Sequence, residues 1–236
     1  MSGTDPAGVA PAPEAELVIL IDVDNTLLDN DRIQADIRSH LEAEYGAACR
    51  DRYAAILDQL WNELGYRDYL GALQRYRIEH PLDVHLLAMS SFLVDYPFAE
   101  RLYPRALDAI AHLRRLGTTV ALSDGDVVFQ PRKVERSGIA AALGGKVLIY
   151  IHNEQSLADV QRRYPARHYV MIDDKLRILT AMKQAWGERL TTVFARQGSY
   201  AHDPATLAAC PKADLQVDEI ADILACDRAG LMSRAV

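Results

Sequence analysis

The stretch "VILIDVDNTLLDN", residues 18–30, decides the fold. Four consecutive apolar residues lead directly into Asp22 and Asp24, which are separated by one residue and followed by Asn25 and Thr26. A short apolar run of this kind is typical of a strand that is covered on both faces of a parallel sheet. Carboxylates at its end lie at the edge of the hydrophobic core, where an unpaired charge is unfavourable. The stretch therefore indicates a buried strand whose acidic groups need a chemical explanation.

Further β-branched runs follow along the chain, and polar residues come after each of them. These runs are "TTVAL" (118–122), "KVLIYI" (146–151), "HYVMI" (168–172) and "LTTVFA" (190–195). Helical patterns over residues 104–117 and 174–187 separate the later runs, and each ends at a glycine. The apolar positions predicted to face inward are Leu107, Ile110, Leu113, Leu116, Leu176, Leu179 and Met182. Alternating strands and helices predict an α/β fold, a three-layer Rossmann-like parallel sheet.

A long gap, from residue 22 to residue 117, separates the first predicted strand from the second and contains helical patterns only. The first pattern repeats every four residues behind Asn30, which we predict to be its N-cap. Others cover residues 48–64, 68–79 and 82–94. We predict an all-helical cap domain over residues 30–101, inserted into a core formed by residues 16–29 and 102–236, with residues 1–15 as a disordered leader. The alternative is a helical layer that does not move.

Composition excludes several classes of function. The chain has 236 residues and a net charge of −7, with no run of Lys or Arg that would bind nucleic acid. The longest mainly apolar stretch, residues 86–94, is too short to span a membrane. Three scattered cysteines have neither the spacing of a zinc site nor the even number of a disulfide framework. Without a signal peptide, a cytoplasmic location is expected.

Ligands of open parallel sheets bind beyond the carboxyl ends of the strands. Polar groups at three of these ends are Asp22, Asp24, Ser123, Asp124, Asp126, Asp173 and Asp174. At an effective dielectric constant near 20, two carboxylates ~4 Å apart repel by about 4 kcal/mol. A divalent cation relieves this repulsion, and an all-oxygen site with a few carboxylates suits Mg²⁺. The sequence therefore predicts a magnesium site at this edge.

Three motifs in this order resemble those of the haloacid dehalogenase-like (HAD) hydrolases. "DVDNT" resembles the D-x-D-x-T signature that opens this superfamily, and "ALSDGD" resembles its second motif, a Ser or Thr closing an apolar strand. "YVMIDDK" resembles its fourth motif, an acidic pair closing another strand. The resemblance covers residues 16–226, and the insert lies where this superfamily places its helical cap.

The resemblance implies a role for each motif residue. Asp22 would be the nucleophile that forms an aspartyl-phosphate, and Asp24 the general acid and base, with its backbone carbonyl on the metal. Asp173 would complete the Mg²⁺ site with Asp174, unless Asp174 instead caps the helix that follows it. Ser123 would donate a hydrogen bond to a phosphate oxygen. The remaining residues expected at the substrate are Thr26, Asp124 and Asn153.

Asp24 favours Mg²⁺-dependent hydrolysis of a small phosphorylated metabolite, because members that displace halide usually lack this second aspartate. Dehalogenation and phosphomutase activity remain alternatives. The lysine that the superfamily normally carries after its third strand is absent, and Asn153 occupies that place. A neutral amide cannot cancel charge, so a catalytically weak protein that binds a phosphorylated ligand or partner is a further alternative.

Several residues can substitute for the missing lysine. Lys133, beyond the second motif, is the favoured candidate. Lys146 is expected at the opposite edge of the sheet. Lys175 adjoins the acidic pair, but its position is equally compatible with a side chain that points outward from the helix. His152 is compatible with a purely structural role. Residues of the insert that can bind an anionic or ring-bearing substrate are Arg67, Arg75, Arg77, Tyr66, Tyr69 and Tyr76. Packing tyrosines and solvated arginines are the simpler interpretation of that set.

Overall fold

The computed structural model describes residues 13–232, in which six parallel strands form one sheet. The strands are β1 (Ala15–Ile21), β2 (Thr118–Asp124), β3 (Val147–Tyr150), β4 (Ala166–Asp173), β5 (Leu190–Ala195) and β6 (Leu215–Val217). Their order is β3-β2-β1-β4-β5-β6. Every predicted strand is confirmed. The predicted leader lies outside the described residues except for residues 13–15, and Ala15 already belongs to β1.

Eleven α-helices lie within the described residues. They are α1 (Asn30–Tyr45), α2 (Ala47–Leu64), α3 (Tyr69–Glu79), α4 (Leu86–Asp95), α5 (Ala106–Leu116), α6 (Phe129–Arg136), α7 (Ile139–Ala142), α8 (Leu157–Arg163), α9 (Leu176–Trp186), α10 (Pro204–Ala209) and α11 (Arg228–Met232). A 3₁₀-helix, Ile220–Ala225, follows β6. None of these described helices is long and apolar enough to cross a membrane.

Helices cover both faces of the sheet, and this confirms the three-layer α/β fold. Successive side chains of β1 point to opposite faces. Ile19 packs in one cluster with Ile110 of α5, whereas Leu20 packs in the other with Leu179 of α9. Because β1 lies in the middle of the sheet and is buried on both faces, its sequence is apolar throughout instead of alternating.

The helices α1–α4, residues 30–95, form a helical insert between β1 and β2. They bury a third hydrophobic cluster, which includes Ile33, Ile56 and Leu93. Phe129 of α6 joins this cluster from the sheet-bearing part of the chain. The helical character of the gap is therefore confirmed, while the boundaries of a separate cap domain and its motion remain predictions.

Two local predictions are wrong. Leu107 was predicted to face inward, but it is 39% exposed. The helix α5 begins only after Arg105, whose backbone is left-handed (φ 62°), and its first buried residues are Ala106 and Ala109. Asn30 does not cap α1: the Asp29 carboxylate accepts the hydrogen bond from the backbone N–H of Arg32. Asn30 is instead the first helical residue, and it is buried.

Candidate active site

Three adjacent strands bring acidic side chains to one edge of the sheet. In β1 and β4, Ile21 is paired with Ile172, so Asp22 and Asp173 follow at the same level. The backbone N–H of Asp22 donates to the carbonyl of Ile172 (2.9 Å). Asp22, Asp173 and Asp174 each place a carboxylate oxygen within 4.8 Å of the others. The parallel register thus assembles the predicted acidic cluster from two segments far apart in the chain.

The oxygens of this cluster are incompletely paired. Asp173 Oδ1 accepts from the backbone N–H of Lys175 (2.8 Å), and Thr26 Oγ1 donates to Asp22 Oδ2 (3.3 Å). Asp173 Oδ2 and both carboxylate oxygens of Asp174 are buried without a partner among the described residues. Asp174 therefore does not cap α9. Buried acceptors left without donors are costly, and a bound cation would satisfy them.

The electrostatics of the cluster also indicate a missing positive charge. Burial raises the pKa of Asp22 well above its usual range, and the Asp173 carboxylate raises it further. Burial and the neighbouring Asp174 likewise raise the pKa of Asp173. Burial raises the pKa of Asp174 to about 8, although the Lys175 ammonium opposes this shift. The described side chains thus leave these carboxylates short of positive charge, as expected where a cation binds.

Asp24 lies apart from the acidic cluster and is held by a lysine. Lys133 Nζ donates to Asp24 Oδ1 (2.7 Å) and Oδ2 (2.8 Å), and to Asn30 Oδ1 (3.0 Å). These bonds use all three donors of an ammonium, and the Lys133 side chain is 1% exposed. The structure therefore brings Lys133 to the site as predicted, but it binds the candidate acid and base instead of facing Asp22.

Lys175 does not point outward. Burial lowers the pKa of its ammonium, but the negative charges of Asp22, Asp174, Asp173 and Asp124 outweigh this effect and raise the pKa. Within residues 13–232 the ammonium donates no hydrogen bond and forms no ion pair. Its donors are thus available beside the candidate nucleophile.

The second motif positions Ser123 through a residue that the sequence did not single out. Gln130 Nε2 of α6 donates to Ser123 Oγ (2.9 Å), so the hydroxyl proton of Ser123 stays available for another acceptor. Gly125 permits this arrangement, because a Cβ there would lie 2.6 Å from Gln130 Cβ. Asp126 instead accepts from the N–H groups of Val128 and Phe129 and so shapes the start of α6.

Asn153 does not take the place of a catalytic cation. Its side-chain amide donates to the carbonyl of Leu122 (3.3 Å), and its backbone N–H donates to Asp124 Oδ1 (2.6 Å). Asn153 is fully buried and connects the segment after β3 to the end of β2. Its described contacts thus support Asp124, which lines a cavity at this edge of the sheet.

A tight turn follows Asp22. Asn25 has a positive φ of 60°, and its Oδ1 accepts from the N–H groups of Asn30 and Asp31. The segment after β5 closes over this turn, because the Ser199 N–H donates to Asp31 Oδ2 (2.6 Å) and Gly198 lies against Asn25. Sequence reasoning missed this segment, although Gly198 in "RQGSY" is a recognisable turn signal.

A cavity that is partly open to solvent lies between the helical insert and this edge of the sheet. Four basic and two acidic side chains line it, in a protein whose net charge is −7. Its charged lining residues are Arg67, Lys133, Lys175, Arg177, Asp24 and Asp124. A cation-rich cavity beside a carboxylate cluster suits an anionic ligand.

Some of the residues considered from sequence lie elsewhere. Lys146 precedes β3, at the amino edge of the sheet as expected, and His152 packs against Gly65 of the insert. Arg75 pairs with Glu63 on the surface (2.6 Å). Tyr76 and Arg77 line a different cavity within the insert. Of the aromatic and basic set in the insert, only Tyr66, Arg67 and Tyr69 line the cavity at the sheet edge.

Comparison with known proteins identifies the family. A model described as haloacid dehalogenase-like hydrolase matches residues 17–185. A haloacid dehalogenase-like hydrolase from Burkholderia xenovorans LB400 is 60% identical, with a TM-score of 0.86 over 91% of this chain and 100% of that chain. A search of curated proteins gave no match.

Two more distant structures share the fold. An L-2-haloacid dehalogenase from Xanthobacter autotrophicus is 16% identical, with a TM-score of 0.58 over 88% of this chain and 96% of that chain. The HAD-hydrolase YfnB from Bacillus subtilis, solved with magnesium, is also 16% identical, with a TM-score of 0.59 over 90% of this chain and 100% of that chain. With the three motifs on their strands and the family model covering most of the sheet, the chain belongs to the haloacid dehalogenase-like hydrolases and is an enzyme of that family.

Proposed function

We propose that the protein is a Mg²⁺-dependent phosphoric monoester hydrolase acting on a small phosphorylated metabolite. The observation that carries this proposal is the buried cluster of Asp22, Asp173 and Asp174, three of whose oxygens have no partner among the described residues. Attack of a carboxylate on a phosphate dianion brings two anions together, and such a cluster is suited to hold the cation that this reaction needs.

The donor set fits magnesium. Asp22, Asp173 and Asp174 offer only carboxylate oxygens, which suit a hard cation. The backbone carbonyl of Asp24 remains a further proposed ligand. When bound, the ion screens the repulsion between the Asp22 carboxylate and the phosphoryl oxygens. Orienting the substrate and moving protons are tasks for the side chains.

Asp22 is the proposed nucleophile. Its carboxylate oxygen attacks phosphorus, the bond from phosphorus to the leaving oxygen breaks, and Asp24 gives its proton to that oxygen. In the second half Asp24 takes a proton from water, the water oxygen attacks phosphorus, and the bond to Asp22 breaks. Thr26 orients Asp22, and the free hydroxyl proton of Ser123 is proposed to contact a phosphoryl oxygen.

The two lysines have different proposed tasks. Lys175 contacts the phosphoryl group and supplies the charge of the missing third-motif lysine, because its ammonium lies in the field of Asp22 and has no other described hydrogen bond. Lys133 positions Asp24. The proposal thus departs from the sequence-based preference for Lys133 as the substitute.

A second candidate is the catalytically weak protein that binds a phosphorylated ligand. Its support is that Lys133 engages both oxygens of Asp24, so that proton transfer requires this pair to loosen. Binding by the cavity would then persist while turnover stays slow.

Hydrolysis of p-nitrophenyl phosphate with Mg²⁺ or with EDTA tests the proposal, using the native protein and Asp22→Asn. We expect turnover only with Mg²⁺ and only with Asp22. If both proteins bind inorganic phosphate and do not differ in turnover, the catalytically weak binding protein is favoured. Release of chloride from 2-chloropropionate without Mg²⁺ would instead establish a dehalogenase.

A further inference from the structure

Tyr69, at the start of α3, has a buried hydroxyl without a partner. Its side chain lines the cavity at the sheet edge, yet the residue is only 4% exposed. The hydroxyl oxygen has no hydrogen-bond partner among the described residues. Buried hydroxyl groups are almost always paired, so an unpaired one beside a cavity indicates a ligand group that pairs with it.

The ring of Tyr69 is firmly held. It packs against Phe129 with the ring centroids 4.6 Å apart, and the Tyr69 backbone carbonyl accepts from the hydroxyl of Tyr53 (2.7 Å). Burial raises the pKa of the Tyr69 hydroxyl, as does the Asp24 carboxylate, whereas the Arg67 guanidinium opposes this shift. The hydroxyl is therefore a fixed, protonated donor that lies close to both Arg67 and Asp24.

Arg67 supplies the positive charge beside this hydroxyl. Its guanidinium lies over the ring of Trp61, 5.7 Å from the centroid. In the described structure its only ion pair is with Asp58 (3.3 Å), whose side chain is 69% exposed and therefore a weak, solvent-screened partner. Most of its five donors thus remain available, and the residue lines the cavity.

From these contacts we propose that Tyr69 and Arg67 form a second anion-binding subsite, and that the substrate carries a carboxylate or a second phosphate on its leaving group. This inference rests on the proposed function, which assigns the first anion site to the phosphoryl group at Asp22 and Lys175. Trp61 and Tyr66 line the same cavity and provide an apolar wall for the carbon skeleton between the two anions.

The test measures binding, so it does not depend on turnover. Asp22→Asn serves as the host, and isothermal titration with Mg²⁺ present compares n-butyl phosphate, 4-phosphooxybutanoate and butane-1,4-diol bisphosphate. The flexible four-carbon chain lets the second anion find the subsite. We expect one of the two esters that carry a second anionic group to bind about tenfold to a hundredfold tighter than butyl phosphate, and the tighter one identifies the second anion.

Tyr69→Phe and Arg67→Met, each added to the host, should reduce this preference to less than about threefold, since each removes donors to the second anion. Phe retains the ring packing on Phe129, so Tyr69→Phe isolates the hydroxyl. Arg75→Met is the matched control, because Arg75 pairs with Glu63 outside the cavity, and it should leave the preference unchanged.

Two outcomes would overturn the subsite. Equal binding of all three esters by the host, or a preference that survives in both variants, contradicts it while leaving the phosphatase proposal intact. Absence of binding for every ester contradicts both proposals together.

Discussion

At the scale of single residues, the candidate site contains buried carboxyl groups that destabilise the fold and two lysines that carry the opposite charge. Asp173 and Asp174 are fully buried, and three of their four carboxylate oxygens have no described partner. The ammonium of Lys175 has no hydrogen bond among the described residues, whereas that of Lys133 donates to Asp24 and Asn30. Two substitutions separate these contributions.

Asp174→Asn should raise the melting temperature in metal-free buffer, because it removes a buried carboxyl group whose ionised form is disfavoured by burial and by the charges of Asp22 and Asp24. In a domain of this size, each kcal/mol gained corresponds to roughly 2–4 °C. The same variant should lose the further stabilisation that Mg²⁺ gives to the native protein. Differential scanning calorimetry with Mg²⁺ or EDTA measures both effects, and equal Mg²⁺ stabilisation of the two proteins would remove Asp174 from the metal site.

Lys175→Met should lower kcat/KM for p-nitrophenyl phosphate by about 10²–10³, the usual effect of removing one donor to the transition state. Lys133→Met acts through Asp24, so it should lower kcat/KM more for an alkyl phosphate than for p-nitrophenyl phosphate. The leaving oxygen of an alkyl phosphate needs a proton, whereas p-nitrophenolate leaves without one. Lys146→Met is the control at the other edge of the sheet. Native-like activity of Lys175→Met would mean that Lys175 does not substitute for the missing lysine.

At the scale of elements, the segment after β5 and the turn after β1 depend on each other. Gly198 has a φ of +70°, and a Cβ there would lie 2.4 Å from Asn25 Cγ. Asn25 in turn orders the start of α1 through the N–H groups of Asn30 and Asp31. A change in one segment is therefore transmitted to the turn that carries Asp24.

Gly198→Ala should destabilise the protein and reduce turnover, because the new methyl group must displace Asn25. Gly138→Ala is a matched control: its φ is +85°, but a Cβ there meets nothing within 4 Å. The control should cost only the left-handed backbone penalty, about 1–2 kcal/mol. Urea unfolding and hydrolysis of p-nitrophenyl phosphate compare the variants, and equal losses in both would show that the contact with Asn25 has no energetic role.

At the scale of the whole molecule, one aromatic residue couples the helical insert to the sheet-bearing part. Phe129 belongs to α6, yet it is buried in the hydrophobic cluster of the insert, beside Tyr69 and Phe98. The same helix carries Gln130 and Lys133, which contact Ser123 and Asp24. The packing of the insert and the geometry of the site thus share one helix.

Phe129→Ala should lower the free energy of unfolding by about 3–5 kcal/mol, since it opens a cavity where the two parts meet. Val127→Ala, two residues earlier and 89% exposed, should change it by less than about 0.5 kcal/mol. Urea denaturation gives both values. A small loss for Phe129→Ala would mean that the insert and the sheet are held together by other contacts.

The sequence alone predicted the strands, their parallel arrangement and the acidic edge, because these features depend on local patterns. Apolar runs such as residues 17–21 identify buried strands, and polar residues at their ends must meet at one edge of a parallel sheet. The family followed from the same motifs. Local patterns failed at Leu107 and Asn30, where a left-handed Arg105 and a cap by Asp29 moved the helix starts by one or two residues.

Only the tertiary structure decided which lysine lies beside Asp22 and which acidic oxygens lack a partner among the described residues. Lys133 and Asp24 are 109 residues apart, and nothing in the neighbourhood of either residue in the sequence indicates their contact. Lys175 adjoins the acidic pair in sequence, but the direction of its side chain depends on the extended backbone at this position and on the carboxylates that surround it. Charge compensation is a property of neighbours in space, so the sequence could determine which groups meet but not how they pair.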